Sequence, residues 1–370
     1  MKISKINLVN FRNYSKISVS LGKGMNIFVG NNAQGKTNIL EAIIILALTK
    51  SHRIGVNPNL IMFNKDKCRI SATIKKEKII SKLEVDISHE QKKLWINKTE
   101  IRRLADYISY LNVIVFTPDD LEIVKGSPNV RRNLLNIQLS QISKIYLKTY
   151  NEYNKLLKTR NEYLKILFNN SIADSNYLDV ITDKLIEKAI IIYQKRKEYI
   201  DLINIYIDNN YHQISSESGI IIKYLPNIDF DDYDSESLRK KMKYTYKKYY
   251  LKELNYGMTI YGPHRDDFIF NYQGHDLKNY GSQGQQKLAI LSFKLSEIVI
   301  FKEFCGTNPV LLLDDIFSEL DINKRNKLLK MISNDDIQSI LTTTDLKNIS
   351  KKYLENATIF KVENGKVEGK

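Results

Sequence analysis

The sequence predicts an α/β protein whose sheet-rich core is assembled from both ends of the chain, with a helical lobe inserted between them. Three observations support this. A buried-strand pattern, Met25-Asn26-Ile27-Phe28-Val29, runs into a glycine-bearing loop and then a helical run without Gly or Pro, Asn38 to Leu48. No glycine occurs between Gly126 and Gly219, and apolar residues there recur at helical steps. From Gly281 onward helical segments again alternate with buried strands, among them the unbroken run Pro309-Val310-Leu311-Leu312-Leu313 of a central parallel strand.

The elements follow in order. Ile3, Ile6 and Leu8, then Ile17, Val19 and Leu21, alternate with polar residues as strands do, and residues 69–74, 82–87 and 112–116 have the same character. Leu135, Leu139, Ile142, Tyr146, Tyr150, Tyr153 and Leu157 predict one long amphipathic helix. Leu178, Ile181, Leu185, Ala189, Ile192, Arg196, Tyr199 and Ile203 predict a second, with Arg196 as a charged interruption, and residues 235–255 a third, more basic one. None is long enough for an extended coiled-coil arm. The predicted boundaries are residues 1–125 with 256–370 for the core and 126–255 for the inserted lobe.

At 370 residues the chain has room for a large buried core. Its formal charge of +15 attracts polyanions, nucleic acid or an anionic membrane surface. Lys, Ile, Asn and Tyr are abundant together, as an AT-rich genome imposes, so basicity supports a nucleic-acid partner without establishing one. Cys68 and Cys305 match no metal-ligand spacing and fit a reduced compartment. No apolar run spans a bilayer and no signal-peptide core follows Met1, so a cytoplasmic protein without a membrane partner is expected.

Gly30-Asn31-Asn32-Ala33-Gln34-Gly35-Lys36-Thr37 satisfies G-x-x-x-x-G-K-[ST], the phosphate loop. In such a loop small residues let backbone amides close around phosphates, Lys36 reaches the outer phosphates, and Thr37 ligates magnesium. Leu311-Leu312-Leu313-Asp314-Asp315 is an apolar strand ending in two carboxylates. Beside a phosphate loop, Asp314 would hold the magnesium and Asp315 would polarise water; alone, the pattern is an ordinary strand entering an acidic turn. Gly281-Ser282-Gln283-Gly284-Gln285-Gln286-Lys287 precedes the helical run Leu288 to Ile300. A serine hydroxyl and glycine amides at a helix N-terminus form a second anion-binding surface, or simply a serine-capped helix.

These three motifs, with Ser318-Glu319-Leu320-Asp321 after the aspartates, resemble the ABC-type ATPase family in order and spacing. Ser282, Gln283, Gly284 and Gln285 match its signature sequence, Ser318 and Asp321 its D-loop. Further segments resemble the bacterial recombination-repair ATPases of its SMC-like and Rad50-related branch. These are Ile6 to Tyr14, Ser51-His52-Arg53, Phe116 to Leu121, Lys125 to Pro128 with Arg131-Arg132, Gly262 to Asp267, and Leu312 to Asp321. They span nearly the whole chain. The resemblance implies an ABC-type ATPase head with an inserted helical lobe and no long coiled coil, using ATP and Mg2+. It implies that the signature completes the nucleotide site of a second copy, so that ATP closes a homodimer on double- and single-stranded DNA. It implies partners RecR and RecO, loading of RecA at gaps and junctions, and DNA replication, recombination and repair as the setting. It also implies that Arg12 approaches the nucleotide's phosphates, whereas a surface salt-bridging arginine is the plain alternative. Arg53, Arg131, Arg132, His264 and Arg265 stand equally as structural residues.

The chain departs from the wider ABC pattern at three places. Asp315 stands where transporters have Glu, Thr342-Thr343-Thr344 where they have a switch histidine, and Thr117-Pro118-Asp119-Asp120 where they have Gln. Weak, DNA-stimulated hydrolysis acting as a timer is therefore expected. Lys240, Lys241, Lys243, Lys247 and Lys248 interleave with Tyr on the third predicted helix, suiting DNA phosphates or, more plainly, a solvated face with tyrosines packed inward. A transporter's nucleotide-binding subunit and a P-loop kinase of a small metabolite are the rival readings. The first lacks its switch histidine; the second leaves Ser282 to Gln286 unexplained.

Overall fold

The computed structural model describes residues 1–50, 57–169, 175–333 and 336–369. They group into two compact units, Met1–Asp120 with Asn209–Ser218 and Ile290–Lys370 as one, and Leu121–Asp208 with Gly219–Ala289 as the other. Residues 256–289, which the sequence assigns to the core, group with the second unit because Asp267–Tyr272 pairs with its strand Ile220–Leu225.

The first unit holds two six-stranded sheets. One runs in the order Lys366–Gly369, Thr358–Glu363, Met25–Val29, Ser339–Thr343, Val310–Asp314, Val113–Phe116, parallel except for its first pair. Val310 to Leu313 are completely buried, as a central parallel strand covered on both faces requires. The other sheet is antiparallel and is built from Tyr14–Ser20, Lys2–Phe11, Lys67–Lys76, Ile79–Ser88, Lys92–Ile96 and Thr99–Ile101. The helix Lys36–Leu48 touches both sheets and presents no polar face, with Ile39 to Ala47 buried and Glu41 the one charged residue among them. A helix with no polar face has to be enclosed. Burying each of its Ile and Leu side chains contributes roughly 1.5–3 kcal/mol, so the segment carrying the glycine loop is anchored in the middle of this unit's core.

In the second unit the predicted first helix is two, Pro128–Ile142 and Lys144–Asn169. Ser143 between them is extended, and its Oγ accepts from the Tyr146 amide at 3.1 Å. The serine side chain replaces a backbone partner and starts the second helix afresh. The next predicted helix is Ser175–Ser215, at 41 residues the longest among the described residues, and from Asn209 on it groups with the first unit. Each of its eight predicted inward positions is buried, Arg196 included. The basic segment is likewise divided, into Ser235–Lys248, capped by Asp234, and Tyr250–Tyr256, ended by Gly257 at φ 61°. No helix among the described residues is long and apolar enough to cross a membrane.

Arg196 interrupts the apolar pattern because it pairs with Asp266 at 2.8 Å, both side chains 1 % exposed. Its remaining donors meet Pro263 O at 2.5 Å, Asn136 Oδ1 at 2.9 Å and Tyr146 Oη at 3.3 Å. Asp266 also accepts from Tyr224 Oη and from the Asn227 amide. Beside this knot Arg131 grips Asp267 with two bonds of 2.6 and 2.9 Å, and Arg132 donates to Asp266 O. Buried charges are tolerated only with such complete pairing. His264 accepts from Tyr153 Oη at Nδ1 and donates from Nε2 to Thr259 O, since a carbonyl only accepts. Burial, with Arg265, Arg132 and Arg196 nearby, pushes its pKa down to about 4. Arg131, Arg132 and His264 therefore have structural employment, while Arg265 is exposed and reaches Met258 Sδ at 3.7 Å.

Two outcomes follow for stability. Arg196→Met strands Asp266 and is expected to cost about 3–5 kcal/mol, read from urea unfolding. His264 is neutral when folded and takes a proton near its ordinary 6.5 when unfolded, so the unfolded state binds more protons between about pH 6.5 and 4. Stability is expected to fall through that window by up to about 3 kcal/mol, and His264→Gln to flatten the dependence in melts recorded from pH 7 to 4.

Candidate nucleotide-binding site

The strand Met25–Val29 delivers the chain to the loop at the end of the parallel sheet, and the helix Lys36–Leu48 carries it away. Gly35 makes the turn at φ 108°, and a Cβ there would lie 2.5 Å from Asn13 Nδ2, so the position demands glycine. The helix begins without a side-chain cap, which suits an N-terminus that receives an anion. Lys36 is 8 % exposed, and its Nζ donates to Gly30 O at 2.7 Å and Asn31 O at 2.8 Å. The ammonium is thus curled against the loop's own carbonyls. Burial lowers its pKa, opposed by the charges of Asp315 and Asp314.

Asp314 ends the strand Val310–Asp314 and faces the loop. Its Oδ1 accepts from Thr37 Oγ1 at 2.9 Å and from Thr342 Oγ1 at 2.7 Å. Thr342 Oγ1 in turn accepts from the Asp315 amide at 3.1 Å, and Asp315 sits in the left-handed region at φ 46°. A non-glycine residue held there is a strained position of the kind concentrated at functional sites. A cleft of about 310 Å³ opens over these groups, lined by Asn32, Ala33, Gly35, Lys36, Thr37 and Asn38 from one side and by Pro118, Asp314, Asp315, Thr342 and Thr344 from the other. Its combination of a lysine, an uncapped helix and two hard oxygens suits a polyphosphate with a divalent cation.

Three of the sequence-derived site residues are engaged away from the cleft. Arg12 spends Nε and Nη2 on Glu41 at 2.9 and 2.8 Å and Nη1 on Asn59 O; it does not line the cleft. Glu41 is fully buried, so the arginine neutralises a charge beneath the loop. Gln34 also turns away from the cleft, its Oε1 accepting from the Asn364 amide at 2.5 Å. Asp321 of the D-loop segment caps the helix Ile322–Ile332 through the Lys324 amide. The Ser318 side chain and the whole of Ser51, His52 and Arg53 lie outside the described residues.

The place where transporters have Gln is occupied by a staple. Asp120 accepts from the Thr117 amide at 2.8 Å and from Thr117 Oγ1 at 3.1 Å, and the buried Lys294 ammonium closes on Asp120 and Val115 O. Lys294 carries no signal in the sequence beyond being a lysine inside an apolar helical run. Thr342, the first residue of the segment that stands in place of the switch histidine, has the further role of binding Asp314.

The signature segment belongs to the second unit. Ser282 Oγ accepts from the Gln285 amide at 3.2 Å while Gln285 Oε1 accepts from the Ser282 amide at 3.0 Å. This reciprocal capping box starts the helix Gln283–Cys305. Since Ser282 Oγ is an acceptor there, its hydroxyl proton points elsewhere. Ser282, Gln283 and Gly284 are exposed, and a Gly284 Cβ would have Ser282 Oγ, at 3.9 Å, as its nearest neighbour among the described residues outside the adjoining backbone. In the basic helix Ser235–Lys248, Lys240, Lys243, Lys247 and Lys248 are exposed and Lys241 is half-buried. Lys243 pairs with Asp183 at 2.9 Å, Tyr246 packs inward, and Tyr244 stands out beside Lys248.

Sheet order, loop and paired aspartates define a P-loop protein of the ABC-type ATPase class, and the RecF/RecN/SMC N-terminal domain model matches residues 2–368. The chain is 40 % identical over 372 residues to the DNA replication and repair protein RecF of Halalkalibacterium halodurans, covering all of both sequences. It is 38 % identical over 369 residues to that of Oceanobacillus iheyensis, with 99 % and 100 % covered. Among solved structures it resembles the recombination mediator protein RecF-ATP of the RecFOR pathway, with TM-score 0.91, 31 % identity and 100 % and 97 % coverage. An SMC head bound to a winged-helix domain of ScpA shares the fold at TM-score 0.55 and 15 % identity. The chain belongs to the RecF family.

Thr342→Val keeps the shape of the strand end but removes the hydroxyl that joins Asp314 to the Asp315 amide. It is expected to destabilise the protein by about 1–3 kcal/mol in chemical unfolding.

Proposed function

We propose that this protein is an ATP-gated DNA-binding protein of recombination repair, in which nucleotide joins two copies around DNA. The observation that carries the reading is the convergence of Lys36, Thr37 and Asp314 on one cleft, with Thr342 bound to the same carboxylate oxygen as Thr37. ATP is the occupant that the RecF-ATP relative suggests. Lys36, now on the Gly30 and Asn31 carbonyls, exchanges them for the outer phosphate oxygens, a charge-assisted and therefore stronger partner. The amides of Asn31 to Gly35 line the loop that receives the phosphates.

Thr37 Oγ1 and Asp314 Oδ1, 2.9 Å apart, fit a magnesium site, because that ion takes hard oxygen ligands and binds with few protein groups beside phosphates and water. Thr37 and Asp314 would hold such an ion, which would supply charge neutralisation at the outer phosphates. Asp315 is the group that orients the attacking water, and its backbone, fixed through Thr342, sets the carboxylate's position. Arg12 acts one step removed by neutralising Glu41 under the loop.

Ser282, whose hydroxyl proton is free of the capping box, together with Gln283, Gly284 and Gln285, meets the outer phosphate of ATP bound by a second copy. Ser318 and Asp321 border that junction. ATP bound better by the pair than by the single chain shifts the equilibrium toward the dimer, and slow hydrolysis reverses it. The exposed Lys240, Lys247 and Lys248, with Lys241 and Lys243, supply phosphate contacts to duplex or single-stranded DNA. RecR and RecO are the partners, and RecA loading at gaps the outcome, that this family suggests. The signature segment favours this reading over a metabolite kinase, which has no use for Ser282 to Gln285.

Sedimentation velocity with and without ATP and duplex DNA tests it. Wild type is expected to dimerise on ATP and to bind DNA at least tenfold more tightly. Ser282→Arg is expected to bind ATP without dimerising, Lys36→Ala to do neither, and Asp315→Asn to dimerise but hydrolyse at least a hundredfold more slowly. ATP that leaves wild type monomeric, with unchanged DNA affinity, overturns the proposal.

A further inference from the structure

We infer that the chain's C-terminal hairpin, Thr358–Glu363 with Lys366–Gly369, is a brace for the phosphate loop, and that Gln34 is the positioning residue through which it acts. The inference rests on the reading of that loop as an ATP site. Three separate contacts carry it. Gly30, the first residue of the loop, passes so close to the hairpin strand that a Cβ would lie 2.2 Å from Val362 O. Gln34, inside the loop, accepts at Oε1 from the Asn364 amide in the hairpin turn, at 2.5 Å. Gly365 in the same turn lies against the backbone of Asn13, where a Cβ would come within 2.6 Å of Asn13 O.

Asn13 closes the circuit. Its Nδ2 donates to Gln34 O at 3.0 Å, its Oδ1 accepts from Asn38 Nδ2 at 2.9 Å, and the neighbouring Tyr14 Oη donates to Gly35 O at 3.0 Å. The carbonyls of Gln34 and Gly35 are therefore held from behind. A phosphate loop works by aiming amides forward into the cleft, and a peptide unit whose carbonyl is fixed has its neighbouring amides' directions fixed with it. Gly35 has no side chain with which to hold its own carbonyl, and the Gln34 side chain is engaged with the turn, so these two carbonyls are held by Tyr14 and Asn13. Thr358–Glu363 pairs in parallel with Met25–Val29, the strand that feeds the loop, so the hairpin registers both the strand and the loop that follows it. Gln34 matches a variable position of the phosphate-loop pattern, yet its side chain points to the turn and not into the cleft. A preorganised loop binds its ligand without an ordering cost, and a released loop bears that cost on every binding event.

The test is a double-mutant cycle read by calorimetric titration of ATP with magnesium into the full-length protein. Gln34→Leu removes the acceptor, and Gly365→Val pushes the turn off Asn13 O. Each is expected to weaken ATP about fivefold, as loss of one hydrogen bond of about 1 kcal/mol would. Together they are expected to weaken it no further, because both release the same brace. Asn364→Gly keeps the amide and tolerates the turn's φ of 48°, and is expected to bind like wild type. Thermal melts establish that each variant is folded. Gln34→Leu binding ATP as wild type does, or single effects that multiply in the double variant, overturns the brace. A wild-type protein that binds no ATP overturns the underlying site instead.

Discussion

One carboxylate oxygen organises the candidate site. Asp314 Oδ1 takes hydrogen bonds from Thr37 at the head of the buried helix, 277 residues away in the chain, and from Thr342 at the end of the adjacent strand, so a single atom ties three chain segments together. A carboxylate oxygen has the lone pairs for both donors, and charge makes each bond stronger than a neutral one. Thr37 can be there only because Lys36–Leu48 is buried on all sides, and Asp314 only because Val310 to Leu313 fill the middle of the parallel sheet. The chemistry of the cleft is thus held by hydrophobic burial and aimed by two threonine hydroxyls.

The second unit solves a different problem, that of carrying charge inside a helical core. Arg196 with Asp266, Arg131 with Asp267 and Arg160 with Glu253 are each closed by further hydrogen bonds, and each joins segments distant in sequence. Replacing such pairs with apolar residues is often neutral for stability, so their value lies in specifying one arrangement of helices over others. Asp266 and Asp267 also lead into the strand Asp267–Tyr272, which precedes the signature segment in the chain.

Legibility in the sequence followed the range of the physics. Phosphate loop, paired aspartates and signature are local strings whose residue types follow from what a phosphate or a helix terminus requires, and the structure places the first two on one cleft. The eight inward positions of Ser175–Ser215 were legible because burial repeats with the helical period. Helix interruptions at Ser143, whose side chain caps the next helix, and at Tyr249, which has no side-chain cap, were not, because each break falls at a single residue while the apolar period continues across it. The employment of Arg12 by Glu41 and of Gln34 by Asn364 was equally hidden, since each partner is far away in the chain.

The sequence by itself determined that there is a phosphate-binding loop between a buried strand and a buried helix, that two carboxylates end a central strand, and that a helical lobe interrupts the core. These depend on residue type and short-range spacing, which folding does not alter. Tertiary structure decided which of the motif's polar side chains face the cleft and which face the protein. It turned Arg12 and Gln34 to distant partners, brought Thr342 to Asp314, and tied Lys294 to Asp120. A hydrogen bond is made where a partner lies within about 3 Å, and only the folded chain brings those partners together.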